Sequence, residues 1–137
     1  MRTKFVSNES MEKFARLYLA FREFARENGF NVLSISCWRT LQEIYGMVPC
    51  GAISRLNNNG IIASCEGDVD GAIGMVVDTA MNEAPASMVD LVSIDDADQS
   101  MNIWHCGPAP GCMADHQGVH MVPEYCCAEQ GHGNRCQ

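Results

Sequence analysis

The chain has 137 residues, 17 acidic against 9 basic, a formal charge of −8 and 47% hydrophobic residues, which suits one modest domain with a real core rather than a disordered segment. An acidic chain with no basic stripe argues against nucleic acid and against an anionic membrane surface as partners. Its apolar runs fall far short of the roughly 20 residues of a membrane-spanning helix, and residues 1–20 lack the apolar core of a signal peptide, so a cytoplasmic chain without a disulfide framework is expected.

Residues 10–28 read as a helix. Ser10 can cap its start, and Phe14, Leu17, Tyr18, Phe21, Phe24 and Ala25 recur at three- and four-residue spacing, giving one apolar face. Asn28-Gly29 suits a left-handed helix end. Residues 31–36 read as a buried strand, 38–46 as a short helix and 49–56 as a further helical segment, stopped by Asn57-Asn58-Asn59-Gly60. Residues 61–65 form the next strand. Residues 68–81 form the next helix, with Ala72, Ile73, Met75, Val76 and Ala80 available for packing. Helices alternating with strands predict neighbouring parallel strands in an α/β layered, Rossmann-like segment.

After Pro85 the pattern changes. Residues 87–94 and 101–106 are strand candidates around the polar turn at 95–100, a hairpin signal. From Gly107 onward there is no periodicity, and Gly, Pro, Cys and His dominate. The expected organisation is a partial α/β domain over 1–85, a hairpin opening a β-rich domain over 86–107, and an irregular Cys/His-rich tail over 108–137.

Charge marks where chemistry should sit. Residues 56–134 carry twelve carboxylates and no Lys or Arg. Within this stretch the apolar run 61–65 ends at an acidic, glycine-bearing corner, Glu66-Gly67-Asp68-Val69-Asp70-Gly71. In open α/β sheets ligands bind at the carboxyl ends of strands, which puts Glu66 in that position. With Asp95 opposite Ser100, the simplest hairpin register sets Asp90 opposite His105 and Val92 opposite Ile103. Opposed side chains lie about 5 Å apart at Cβ, so a carboxylate and an imidazole there could share a divalent metal, with Glu66 completing the set. Oxygen-rich ligation suits Mn²⁺ or Mg²⁺. The plainer alternative is an Asp90–His105 hydrogen bond and a helix-capping Glu66. Asp90 lies within an apolar run, and a buried carboxylate needs a partner. Asp68 and Asp70 read as first-turn helix residues, and the stretch lacks the ladder of a calcium loop.

Six segments occur in order: Ser36-Cys37-Trp38; Tyr45-Gly46-Met47-Val48-Pro49-Cys50; Ser54-Arg55-Leu56-Asn57; Cys65-Glu66-Gly67-Asp68-Val69-Asp70-Gly71-Ala72; Met88-Val89-Asp90; and Trp104-His105-Cys106-Gly107. Together, over about residues 10–110, they resemble the L-fucose isomerase / L-arabinose isomerase superfamily, especially its fucose-isomerase-like members. The resemblance implies an aldose–ketose isomerase that binds a divalent metal, usually Mn²⁺, and moves a proton between C1 and C2 of an open-chain monosaccharide through an ene-diol(ate). It matches Glu66 and Asp90 to the acidic ligands, jointly acid and base, and the ligand histidine to His105 or to one further along. Family subunits are longer and oligomeric, so a fragment is expected, with a homo-oligomer for the full-length protein.

Cys37, Cys50 and Cys65 read as reduced, buried thiols. In the tail, Cys112, His116, His120, Cys126, Cys127, His132 and Cys136 are soft donors without standard zinc-finger spacing. His116 and His120 would share one face of a helix. Three readings follow: a segment of a sugar isomerase, a zinc-binding interaction module organised by the tail, or an inactive fragment.

Overall fold

The computed structural model describes residues 2–3 and 6–122. In chain order the elements are β1 (Arg2–Thr3), α1 (Asn8–Asn28), β2 (Val32–Ser34), α2 (Gln42–Ile44), α3 (Cys50–Asn58), β3 (Ile62–Ser64), α4 (Val69–Asn82), β4 (Asp90–Asp95), β5 (Ser100–Trp104) and β6 (His120–Met121). The result is a mixed α/β chain: two short parallel pairs, β2–β3 with helices against it and β1–β6, and an antiparallel hairpin. The expectations for residues 123–137, including Cys126, Cys127, His132 and Cys136, fall outside the described residues. Among the described residues, no helix is long and apolar enough to cross a membrane.

The cap of helix α1 lies three residues earlier than expected. Ser7, not Ser10, is the N-cap: its Oγ accepts the Ser10 N–H at 3.1 Å. Ser10 is instead buried inside the first turn, its hydroxyl 2.9 Å from that of Ser7. At the other end Gly29 takes φ 68°, a left-handed conformation that glycine adopts without steric cost. Phe14, Leu17 and Ala25 are buried, as their spacing predicts. Phe24 is half exposed and packs edge-on against Phe30, with ring centroids 5.7 Å apart.

The expected helix over 38–46 is cut down to α2. Trp38 has an extended ψ of 125° and Arg39 a φ of 61°, so the chain makes an irregular turn there, and only Gln42–Ile44 continues as α-helix. A positive φ at a residue with a Cβ cannot propagate a right-handed helix.

Strands β2 and β3 pair in parallel, Val32 with Ile62, Leu33 with Ala63 and Ser34 with Ser64. Residues of β3 alternate in which way their peptide groups point. Asn31 O accepts the Ile62 N–H and Ser64 O accepts the Ile35 N–H across the pair. Ala63 faces away from β2, and there the buried Asn57 carboxamide stands in for a third strand. Its Oδ1 accepts the Ala63 N–H at 2.7 Å and its Nδ2 donates to Ala63 O at 2.9 Å. Helix α3 is thereby locked to β3, and Ile53, Leu56, Ala63 and Cys65 close the core between them. Phe14 and Leu17 of α1 pack with Ala52 of α3 and Met47 in a second cluster.

Helix α4 is capped by Asp68, whose Oδ1 accepts the Gly71 N–H at 2.8 Å. It buries Ala72 and Met75, while Ile73, Val76 and Ala80 are exposed.

The hairpin forms where expected, but its register differs. Asp95 pairs with Ser100, Ile94 with Met101 and Ser93 with Asn102. A bulge at Val92 then shifts the ladder, so that Leu91 pairs with Ile103 and Asp90 with Trp104, not with His105. A shift of one residue exchanges the faces of a strand, and here it sorts them. Leu91, Ile94, Met101 and Ile103 fall on one side. Asp90, Ser93 and Asp95 fall on the other with Ser100, Asn102 and Trp104. An unbulged ladder would mix Leu91 with the serine and the aspartate. Every residue of both strands is exposed, Asp90 included, so the expected burial of its carboxylate does not occur.

The segment after Gly107 is more ordered than its composition suggests. Pro108 and Pro110 are buried. Ser54 donates to Ala109 O at 2.6 Å and the Cys112 N–H donates to Asn58 Oδ1 at 2.8 Å, which fixes this loop to α3. His116 and His120 do not share a helix: one lies in a turn and the other opens β6, which pairs with β1.

Candidate functional site

The corner after β3 is built by its backbone. Glu66 and Gly67 both have positive φ, 62° and 70°. The Gly67 N–H donates to Ile35 O at 3.0 Å, the Asp68 N–H to Cys65 O at 3.1 Å, and the Glu66 N–H to Cys37 Sγ at 3.2 Å. These bonds hold Glu66 in a conformation that costs a residue with a Cβ on the order of 1–2 kcal/mol. Such strain persists where the surroundings over-determine it, and it clusters at functional sites. Helix capping is done by Asp68, so the Glu66 carboxylate is not committed to it. That carboxylate is exposed at the carboxyl end of a parallel strand and has no hydrogen-bond or ion-pair partner among the described residues.

Asp90 opens β4 on the polar side of the hairpin. His105 follows β5 and is half-buried. Its Nδ1 lies 2.8 Å from the Cys106 backbone nitrogen and 3.4 Å from Cys106 Sγ. In one neutral tautomer Nδ1 accepts that N–H. In the other it donates to the sulfur and leaves Nε2 bare, as a ligand nitrogen must be. Nε2 is the one buried side-chain nitrogen or oxygen without a partner among the described residues. Among the described residues Glu66, Asp90 and His105 do not come together around one point, and neither do Cys112, His116 and His120.

A different set does converge. The Sγ atoms of Cys50, Cys65 and Cys106 lie within 4.8 Å of one another, with Cys50 and Cys106 at 3.6 Å. Cys37 Sγ sits 3.0 Å from Cys65 Sγ. Cys37, Cys50 and Cys65 are buried, as expected, and the half-buried Cys106 joins them. The sulfurs perturb each other. Cys106 is held far below the usual thiol range, first by its hydrogen bond with Cys50 and then by Cys65. Bonding from Cys65 lowers Cys37 to about 7, and Cys65, donating to Cys106 and Cys37 and desolvated, is pushed up. Sequence spacing hid this cluster because its members come from four separate segments. The available signal was topological: Cys37 and Cys65 each follow the carboxyl end of one of two adjacent parallel strands.

A groove of about 350 Å³, lined by Asn57, Gly60, Ile62, Thr79 and Glu83 among others, lies at the other, amino end of β3.

Comparison with known proteins gives a consistent set of relatives. The chain is 36% identical over 106 residues to a sulfoquinovose isomerase of Clostridium sp. (strain MSTE9), a match covering 77% of this chain and 24% of that protein. It is 31% identical over 124 residues to one from Priestia aryabhattai, covering 83% of this chain and 27% of that protein. The sulfoquinovose isomerase of Alkalicoccus urumqiensis is 27% identical over 106 residues, again 77% of this chain and 24% of the relative. The chain therefore spans about a quarter of the length of these curated relatives. No protein-family model matches it, and no solved structure does.

Proposed function

We propose that this chain supplies one wall of the active site of an aldose–ketose sugar isomerase, with Glu66 as its principal catalytic carboxylate. One observation carries the reading: an uncommitted glutamate, in a left-handed corner at a strand's carboxyl end, lies in a chain similar over about four-fifths of its length to proteins named sulfoquinovose isomerase. Because the chain spans about a quarter of those proteins, the activity proposed is that of the whole isomerase.

The chemistry asked of these residues is proton transfer. A base removes the proton from C2 of the open-chain aldose, next to the C1 carbonyl. As O1 takes up a proton an ene-diol results; the O2 hydroxyl then gives up its proton while a proton returns at C1, giving the ketose. Glu66 and Asp90 share the roles of base and acid. Both are exposed and able to exchange protons with substrate, and a positioned carboxylate contributes about 10²–10⁴-fold to such a step.

By donor type Glu66, Asp90 and His105, two uncommitted carboxylates and an imidazole whose Nε2 lacks a partner among the described residues, suit a divalent cation such as Mn²⁺, but they do not converge here, so the ion would be held by one or two of them with donors from elsewhere in the whole isomerase. When bound, that ion supplies Lewis-acid polarisation of the sugar's hydroxyl and carbonyl oxygens. His105 must then carry its proton on Nδ1, where Cys106 Sγ can accept it. The sugar class is an open-chain monosaccharide, with sulfoquinovose and L-fucose the first to assay. A sulfonated sugar finds no Lys or Arg between residues 56 and 134, so its sulfonate would be held by residues elsewhere.

The test is isomerisation in deuterated water with Mn²⁺, following proton exchange at C1 and C2 by NMR. Glu66→Gln and Asp90→Asn should each lower the rate by about 10²-fold or more. Full activity in Glu66→Gln would overturn the assignment. No exchange in any variant, the parent chain included, would leave the tail-centred zinc module or an inactive segment as the better account.

A further inference from the structure

We propose that Cys50, Cys65 and Cys106, with Cys37 beside them, form a thiolate site for a soft divalent cation, Zn²⁺ by its chemistry, that clamps the end of the hairpin to the α/β layers. The isomerase reading uses these sulfurs only where Cys106 Sγ faces His105 Nδ1, and the proposal stands without it.

Geometry carries the argument. Zn–S bonds of about 2.3 Å in a tetrahedron set sulfurs about 3.8 Å apart. Cys50 and Cys106 are already 3.6 Å apart, and all three sulfurs lie within 4.8 Å of one another. They are therefore spaced for one ion with little movement. Cys37 is 3.0 Å from Cys65 but stands outside the group of three that lie within mutual reach, so it backs Cys65 and leaves the fourth position on the ion to an outside donor.

The three donors arrive from the first residue of α3, the end of β3 and the residues after β5, and Cys37 from the turn after β2. Apolar packing alone is indifferent to sulfur, since a small hydrophobe fills such a position equally well. It does not account for three sulfurs from distant segments meeting at ligand spacing, with a fourth against one of them. Cys50 and Cys65 are buried while Cys106 is half-buried, which gives a dry cage with an entry side for the fourth donor of a tetrahedral zinc site. Soft thiolates select Zn²⁺ over Mg²⁺ or Mn²⁺, so this site and an oxygen-rich one need not compete for one metal.

The clamp has a positional consequence. Cys65 adjoins Glu66, and Cys106 adjoins His105. An ion shared by Cys65 and Cys106 ties the two segments that carry those side chains.

The experiment uses the full chain, reduced, loaded with Zn²⁺ or Co²⁺ and desalted. Zinc per chain is measured directly, and cobalt is read by thiolate-to-cobalt charge-transfer absorption, which carboxylate or imidazole ligands do not give. The proposal expects one equivalent of metal and the charge-transfer band in the parent chain. It expects the same in a variant with Cys112, Cys126, Cys127 and Cys136 all changed to Ser. In Cys106→Ser it expects the band lost or diminished and affinity weakened by more than the about 10–100-fold that outer-shell changes cost. Mapping of alkylated thiols in the parent chain needs no variant to fold: Zn²⁺ should protect Cys50, Cys65 and Cys106 and leave Cys112 reactive. Any of three results would overturn the proposal: no charge-transfer band in the parent chain, a band that vanishes with the tail cysteines, or no protection of the three thiols.

Discussion

Removing the Asn57 carboxamide tests whether a side chain can serve as a strand. Its two hydrogen bonds to Ala63, at 2.7 and 2.9 Å, lie in a place where Asn57 and Ala63 are both almost fully buried. Two such bonds contribute about 2 kcal/mol net, and stranding buried backbone groups costs about 1–3 kcal/mol each. Asn57→Ala should therefore destabilise the chain by about 2–4 kcal/mol, a large share of the roughly 5–15 kcal/mol typical of a domain. Urea unfolding followed by circular dichroism would show it. With a slope of about 2 kcal/mol/M, the midpoint falls by about 1–2 M while the slope holds. Asn57→Asp sharpens the test: at neutral pH it keeps the acceptor for the Ala63 N–H but sets a carboxylate against Ala63 O, and should cost at least as much. A loss under about 0.5 kcal/mol in Asn57→Ala would refute the stand-in strand.

Ser7→Ala removes the N-cap of α1 and should cost about 1 kcal/mol, read as a lower thermal midpoint, whereas Ser10→Ala would be the costlier change if Ser10 were the cap. Gly71→Ala sets two effects against each other. Alanine gains about 1 kcal/mol of helix propensity, but its Cβ would sit 2.5 Å from Asp68 Oδ2 and 2.6 Å from Met88 Sδ, which breaks the α4 cap and displaces Met88. The overlap wins, and the variant should lose about 1–2 kcal/mol by chemical denaturation. Glu66→Gly relieves the left-handed strain at the corner and should stabilise by about 0.5–1 kcal/mol after the added unfolded-state entropy, while abolishing any isomerisation that depends on the carboxylate. Ile94→Thr, on the exposed side of the hairpin, should change stability by less than about 0.5 kcal/mol; a larger loss would mean that this face is covered.

The α/β part of the fold was legible because its signals are periodic. The three- and four-residue spacing of Phe14, Leu17 and Ala25, and the apolar run before Glu66, report burial directly, whereas the strand expected to be buried over 31–36 buries only Ile35 and leaves Val32 and Ser34 exposed. Single-residue backbone events were not legible. Arg39 with positive φ ended a helix that the composition of 38–46 favours, and the bulge at Val92 moved Asp90 off His105. Both are single-residue departures that composition and periodicity do not signal. At the candidate site, Glu66 could be found because strand ends are where ligands bind. The sulfur cluster could not be found by spacing, because contacts among residues 37, 50, 65 and 106 exist only after the layers assemble. Only the sorting of aliphatic and polar side chains hinted at the bulge: without it, Leu91 would lie with Ser93 and Asp95.

The bulge makes the hairpin unequal in how it tolerates changes of length. Val92 faces no partner, so a deletion there leaves all five cross-strand pairs and both faces as they are. A deletion of Asn102 from the opposite strand has no such slack, and would carry Ile103 toward the polar side. Insertions and deletions should therefore accumulate on β4 near Val92 and be purged from β5, a bias visible in natural length variation without measuring stability or turnover.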